Sequence, residues 1–203
     1  MSGRRRTSST LKRRGRKMNN DVLIICGSPR KHSFSTAIAE KAAENILLSG
    51  NTYEKVMLKD LKIGPCTGCD GCRRKERDEC IIDDDMKILY SKIKEYANII
   101  LACPIYWFSV NSIMKTFIDR LYGLHTEKTK ILEHKKFGII LVYGDDNVVS
   151  SGVANAIRMF EDSFRYTRSK MMGIIHRTET DNHVIDEDLE NEINDLVGKM
   201  RTT

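Results

Sequence analysis

Five short apolar runs recur along the chain, and stretches with apolar residues at helical spacing lie between them. The first run, Val22–Cys26, contains no polar residue, which is typical of a strand buried on both faces of a parallel sheet. The other strand candidates are residues 53–58, 98–103, 137–143 and 171–176. Because Pro104 removes a backbone donor, we expect the third strand to end at Cys103.

The intervening stretches predict five helices, at residues 35–48, 86–97, 110–122, 152–166 and 186–200. Three acids, Asp83, Asp84 and Asp85, precede the second of them and suit a helix N-terminus. Strands that alternate with helices predict an α/β fold, and right-handed crossovers leave few topologies. We expect a flavodoxin-like, doubly wound, five-stranded parallel sheet of order 2-1-3-4-5, which binds ligands beyond the carboxyl ends of its strands.

Positive charge is concentrated at the start of the chain. The 203 residues carry a net charge of +6, but residues 1–18 hold eight basic side chains and no acid. The remainder has 26 basic and 28 acidic side chains, so it is slightly acidic. We therefore predict a disordered basic tail at 1–18 and one folded domain at 19–203. Polyanion binding through the tail is an alternative function, but a nucleic-acid footprint would need positive charge on the domain itself.

The sequence lacks two features that would place the protein in a membrane or outside the cell. The sequence has no apolar run of 18 residues and no apolar stretch like that of a secretory signal near its start. We expect a cytoplasmic protein that does not enter a membrane.

The loop after the first strand, residues 27–36, is rich in hydroxyl groups and leads into a helix. Free backbone N–H groups at a helix start bind phosphate. Positive charge would come from Arg30 or Lys31, and side-chain donors from Ser28, Ser33, Ser35 and Thr36. Neither the P-loop pattern nor the dinucleotide GxGxxG pattern is present, so a single phosphate group is favoured. The alternative is an ordinary turn whose hydroxyl residues cap the helix.

Three consecutive aromatic residues, Tyr106, Trp107 and Phe108, follow the third strand. Aromatic side chains beyond a strand end suit a flat, partly apolar ring system. Packing against the next helix is the alternative.

Four of the six cysteines form a CX2CX2CX7C array in a loop at 65–80: Cys66, Cys69, Cys72 and Cys80. A CxxCxxC run with four cysteine ligands is typical of a [4Fe–4S] site. Structural zinc and redox-active thiols are the alternatives, and the basic residues Arg73 and Arg74 would favour thiolates. The other two cysteines end strands, and we expect them to pack in the core.

Two of these segments together resemble the NAD(P)H-dependent FMN reductase family of flavodoxin-like proteins. They are GSPRKHSFST after strand 1 and CPIYWFSVNSIMKTFIDR after strand 3, and the resemblance covers residues 22–175. It implies FMN, with phosphate-binding positions at Ser28, Arg30, Ser35 and Thr36. It also implies two loops beside the isoalloxazine ring, formed by Pro104, Ile105, Tyr106 and Trp107 and by Tyr143 and Gly144.

The cysteine array in this position resembles the iron-sulfur flavoproteins, which join FMN to a [4Fe–4S] cluster held by four such cysteines. We therefore expect an FMN-dependent electron-transfer oxidoreductase that passes electrons between FMN and a cluster. The alternative is a cluster-free, NAD(P)H-dependent FMN or quinone reductase. No histidine has an evident acid–base partner, so we assign no catalytic residue. Expected partners are NAD(P)H or a redox protein, and a second copy in a homodimer or homotetramer, with residues 107–110 as a candidate contact.

Overall fold

The computed structural model describes residues 20–74, 79–179 and 183–201. The predicted tail at 1–18 lies outside these residues, so its order stays a prediction. No helix in the described ranges is long and apolar enough to cross a membrane.

The described chain contains six strands: β1 (Val22–Cys26), β2 (Tyr53–Met57), β3 (Asn98–Tyr106), β4 (Ser109–Val110), β5 (Lys136–Tyr143) and β6 (Lys170–Thr178). The five long strands are parallel and lie in the order β2-β1-β3-β5-β6. This confirms the predicted flavodoxin-like order. The sixth strand, β4, is a short addition that pairs antiparallel with the end of β3.

Five α-helices cover the sheet in the described ranges: α1 (Phe34–Leu48), α2 (Met86–Glu95), α3 (Ser112–Arg120), α4 (Val153–Thr167) and α5 (Glu187–Arg201). Because successive strand side chains point to opposite faces, Leu23 and Ile25 pack in the same cluster as α2, α3 and α4. Val22 and Ile24 pack on the other face, with α1 and α5. The sheet is therefore buried on both faces, which explains why its strands are continuously apolar.

The predicted end of the third strand at Cys103 is wrong, because β3 continues through Pro104 to Tyr106. The carbonyl of Ala102 points toward β1, where it accepts the N–H of Gly27 at 2.8 Å. Pro104 lies two residues later and so faces the same side, but β1 has already ended at Cys26. The missing N–H of Pro104 therefore costs no ladder hydrogen bond.

A buried ion pair fixes both ends of the cysteine-bearing segment. Arg120, at the end of α3, has a side chain with no solvent exposure. Its guanidinium donates to both carboxylate oxygens of Asp84, at 2.7 and 3.1 Å, and to the carbonyl of Gly64 at 2.8 Å. Asp84 also accepts the backbone N–H groups of Gly64 at 3.0 Å and Met86 at 3.1 Å. The segment from Gly64 to Asp84 thus leaves and rejoins the domain at one point.

The same contacts determine the charge state of Asp84. Burial raises the pKa of this carboxyl, but the bonds from Arg120 and from the N–H groups of Gly64 and Met86 outweigh burial and hold the pKa below its usual value. Asp84 is therefore ionised at neutral pH and pairs with a full positive charge.

We predict that Arg120→Met lowers the free energy of unfolding by about 3–5 kcal/mol, because it leaves the carboxylate of Asp84 largely buried without its partner. Chemical denaturation of the two proteins measures this. The matched control is Arg158→Met, which breaks an exposed pair with Asp162 inside α4 and should change stability little. Equal losses in the two variants would contradict the special role of Arg120.

Candidate functional site

The loop after β1 presents several buried hydroxyl groups at the start of α1. Ser28 and Ser35 are fully buried, and Thr36 is 8% exposed. Ser33 stands at the N-cap position, but its hydroxyl bonds to that of Ser35 at 2.9 Å instead of capping the helix. The Oγ1 of Thr36 is buried and has no hydrogen-bond partner among the residues that the structure describes. The side chain of Ser33 therefore does not cap α1, whereas Ser28 accepts the N–H of Arg30 at 3.3 Å within the turn.

Asn111 anchors this loop to the next one. Its side-chain N–H donates to the carbonyl of Gly27 at 2.6 Å, and its Oδ1 accepts the N–H of Met114 at 3.0 Å to cap α3. The side chain is 2% exposed, so both bonds are shielded from water. The sequence analysis did not single out Asn111. It could have been recognised from the sequence as an Asn near the start of a predicted helical stretch, which is a typical N-cap position.

Arg30 joins three loops. Its guanidinium forms an ion pair with Glu179 at 2.8 Å and lies 5.9 Å from the centre of the Tyr106 ring. Glu179, just beyond β6, donates its N–H to the carbonyl of Tyr143 at 2.6 Å. The loop after β1 and the carboxyl ends of β3, β5 and β6 thus meet at one edge of the sheet, as expected for this fold. Nothing in the sequence marks Glu179, because it lies 149 residues from Arg30.

The segment from Pro104 to Phe108 forms a hairpin. Pro104, Ile105 and Tyr106 belong to β3, and Ile105 is buried in the core, so the expectation that all three lie in a loop is wrong. The two central residues of the turn are Trp107 and Phe108, with φ values of +48° and +66°. Such turns normally contain Asn and Gly, because a bulky residue in the left-handed region costs about 1–3 kcal/mol. Trp107 is 92% exposed and Phe108 is 52% exposed.

The start of α4 holds this strained turn in place. Gly152 has φ +80°, and a Cβ atom there would lie 2.2 Å from the Cα of Phe108. Asn155, one turn into the helix, donates its side-chain N–H to the carbonyl of Phe108 at 3.2 Å. The backbone of the turn therefore rests directly on a glycine that no other residue type could replace without displacement.

The loop after β5 begins with a buried Tyr143, whose ring lies 6.0 Å from that of His176. A Cβ at Gly144 would meet no atom of the described residues within 4 Å. Asp145 accepts the hydroxyl of Ser150 at 2.7 Å and the N–H of Asp146 at 2.8 Å. The acidic pair is thus part of a hydrogen-bonded turn, while Gly144 leaves open space at the carboxyl edge.

The described part of the cysteine loop contacts α2 through the ion pair of Glu79 with Lys94, and it contacts the turn after α3 through the bond of Arg73 to Tyr122. Cys66 and Cys69 are exposed, Cys72 is 8% exposed, and Cys80 is partly buried. Burial raises the pKa of the Cys72 thiol, and the nearby thiols of Cys80 and Cys66 raise it further. The sulfur of Cys72 is therefore close enough to those of Cys80 and Cys66 to feel their charge. Within the described ranges, however, no three His, Cys, Asp or Glu side chains are arranged to hold a metal ion.

Comparison with known proteins identifies the family. The sequence profile of the NADPH-dependent FMN reductases matches residues 20–169. This chain belongs to that family. Among curated relatives, an iron-sulfur flavoprotein of Archaeoglobus fulgidus is 40% identical over 119 residues, which cover 59% of this chain and 52% of the relative. An iron-sulfur flavoprotein of Methanocaldococcus jannaschii is 36% identical over 99 residues, which cover 49% of this chain and 50% of that protein.

The chain spans about half the length of these two relatives. Among solved structures, the NAD(P)H:quinone oxidoreductase from Methanothermobacter marburgensis superimposes with a TM-score of 0.64 and 20% identity, covering 89% of this chain and 94% of that one. At that identity the likeness establishes the flavodoxin-like fold of this FMN reductase family member, and a shared fold does not determine function.

We predict that Gly152→Ala destabilises the protein and displaces the hairpin. Trp107 is the only tryptophan, so its fluorescence emission and anisotropy report on the turn directly. The matched control is Gly50→Ala, because Gly50 has φ +79° but a Cβ added there would meet no described atom within 4 Å. Gly50→Ala should lower the melting temperature slightly through backbone strain alone and leave the tryptophan signal unchanged. Identical effects of the two substitutions would show that contact with Phe108 does not matter.

Proposed function

We propose that this protein is an FMN-dependent oxidoreductase that takes electrons from a reduced nicotinamide and passes them through FMN and a [4Fe–4S] cluster to a one-electron acceptor. The observation that carries the flavin part is the buried hydroxyl of Thr36 in the first turn of α1, which has no hydrogen-bond partner among the described residues. Membership of the FMN reductase family supports the same cofactor.

The residues of the first loop fit a phosphomonoester. A buried hydroxyl without a partner costs about 1–3 kcal/mol, and a bound phosphate oxygen would remove that cost by accepting its hydrogen. The first turn of α1 contains no acid, so its backbone N–H groups face no competing carboxylate within the turn. Arg30 is held by Glu179, so we assign it to orienting the loop as well as to contributing positive charge near the phosphate.

The isoalloxazine ring would lie between the hairpin and the loop after β5. Tyr106 and Trp107 offer aromatic surface on one side, and the open space at Gly144 allows close approach of the backbone on the other. When bound, FMN exchanges electrons in pairs or singly, and a [4Fe–4S] cluster exchanges them singly. The chain itself orients the ring, and the buried carboxyl ends of β1 and β3 keep water from its inner side.

The proposal of a [4Fe–4S] cluster rests on the four cysteine thiolates that could bind its iron atoms. Four cysteines on one loop form a complete ligand set for [4Fe–4S], and two curated relatives are named iron-sulfur flavoproteins. Gly68 and Asp70 adopt the left-handed conformation, at φ +65° and +51°, which lets the chain turn sharply between successive cysteines. Cys66 and Cys69 are exposed, so their sulfurs are accessible to an incoming cluster.

A cluster-free, NAD(P)H-dependent FMN or quinone reductase is the second candidate. It is favoured by one observation: in the ranges that the structure describes, the cysteine side chains do not form a metal-binding arrangement. Both candidates share the flavin site, and they differ only in what the cysteine loop holds.

We predict that Thr36→Val weakens FMN binding about tenfold or more, because a hydrogen bond to a charged phosphate is lost. The same change should not lower the melting temperature of the FMN-free protein, since the hydroxyl has no protein partner to lose in the described ranges. Thr167→Val is the matched control. The hydroxyl of Thr167 bonds to the Ser163 carbonyl at 2.9 Å and the Ser169 hydroxyl at 2.8 Å, so this variant should lose stability but keep FMN affinity. Unchanged FMN affinity in Thr36→Val would refute the phosphate assignment.

We predict that Cys→Ala changes at each position of the array lower iron and acid-labile sulfide in anaerobically reconstituted protein. FMN content should be retained, because the proposed flavin contacts lie on other loops. Cys103→Ala is the control, since this cysteine is buried in the core and should not affect iron content. If the wild-type protein holds zinc, or no metal after reconstitution, the cluster-free reductase becomes the function.

A further inference from the structure

Two adjoining cavities open between α3 and α4, away from the proposed flavin site. One has a volume of about 260 Å³ and the other about 240 Å³, and they share Tyr122, His125 and Tyr166 as a common wall. Their lining includes Leu132 and Ser169, which precede β5 and β6. They therefore lie toward the amino ends of the strands, whereas Thr36 and Gly144 lie at the carboxyl ends.

The inner cavity is a mainly apolar slot, and the carboxylate of Asp119 in its lining is paired with Lys115. Its walls include Leu101, Ile118 and three aromatic residues, Phe137, Phe160 and Phe164. Phe164 stacks on Phe137 at 4.4 Å and on Phe160 at 5.7 Å, so the three rings form one continuous aromatic wall. Such a slot accepts a ring or a short hydrocarbon group.

The outer cavity is a charged mouth. Three cations line it, Arg73, Lys130 and Arg168, together with two acids, Glu127 and Glu133. Arg168 pairs with Glu133 at 3.1 Å, and Arg73 reaches Glu127 at only 3.5 Å in an exposed position. Lys130 forms no ion pair with any residue in the described ranges. The mouth thus has one positive charge in excess, next to a weak pair that a ligand anion would compete for.

The mouth also borders the cysteine loop. Arg73 directly follows Cys72, donates to the Tyr122 hydroxyl at 2.7 Å and lies 5.9 Å from the centre of its ring. Gly123 leaves room for the same loop, because a Cβ there would lie 3.0 Å from the backbone nitrogen of Cys80. A molecule in the mouth would therefore contact the segment that carries the cysteines.

From this juxtaposition we propose that the paired cavities form a binding site for a small amphipathic anion, with an apolar ring in the slot and a carboxylate or similar group at Lys130 and Arg73. Each cavity alone is smaller than the roughly 300 Å³ of a typical ligand pocket, but together they reach that size. Charge complementarity selects an anion, and the aromatic wall selects its apolar body. This site is independent of the proposed flavin chemistry.

The test is calorimetric titration of the FMN-loaded protein with 2-naphthoate and with 2-naphthol, which has the same ring system without the carboxylate. We expect one saturable 2-naphthoate site per chain, weakened by salt and not displaced by excess FMN. Lys130→Gln should weaken 2-naphthoate about tenfold and leave 2-naphthol unchanged. Lys128→Gln, which removes the same charge from a residue outside the cavity lining, should bind both probes like the wild type.

A second variant tests the slot. Ser163 lines its wall, and Ser163→Phe should fill it and abolish binding of both probes, while normal FMN content shows that the variant is folded. The proposal is overturned if no saturable binding occurs, if FMN displaces the probe, or if Lys130→Gln and Lys128→Gln bind 2-naphthoate equally. A self-associated chain that covers these cavities and binds neither probe would likewise overturn it.

Discussion

The bidentate ion pair between Arg120 and Asp84 holds the two ends of the cysteine-bearing segment together. A buried guanidinium needs a partner for its charge, and Asp84 supplies it. The two terminal nitrogens of Arg120 donate to Asp84 and to the carbonyl of Gly64, while its Nε has no partner among the described residues. Because Asp84 also receives two backbone N–H groups, one carboxylate joins the start of the loop, the start of α2 and the end of α3. The two ends of the cysteine-bearing segment are therefore held at one point of the domain.

At the carboxyl edge of the sheet, backbone strain and a buried polar group without a partner in the described residues occur together, at the place proposed for the cofactor. Trp107 and Phe108 are held in the left-handed region by contact with Gly152 and Asn155. Thr36 keeps a buried hydroxyl without a partner in the described ranges. Features of this kind cost stability and persist at ligand sites, where a bound group compensates for them.

The two proposed binding sites lie at opposite ends of the sheet. The proposed flavin site lies at the carboxyl ends, and the paired cavities, which Arg73 of the cysteine loop lines, lie toward the amino ends. A ligand at the second site would touch the cysteine loop through Arg73 and Tyr122 without approaching Thr36. Binding of such a ligand and loading of FMN are therefore expected to be separable properties of one domain.

Local pattern in the sequence determined the strands, the helices and the order of the main sheet. It did so because apolar runs and helical spacing report burial directly, and right-handed crossovers restrict their connection. The hydroxyl-rich first loop and the spacing of Cys66, Cys69, Cys72 and Cys80 are likewise visible without coordinates. Tertiary structure alone decided that β3 passes through Pro104, since this depends on where the neighbouring strand β1 ends. It also decided the pairing of Arg30 with Glu179 and of Asn111 with Gly27, 149 and 84 residues apart. Contacts at such separations depend on which loops the sheet brings to one edge, and no local pattern carries that information.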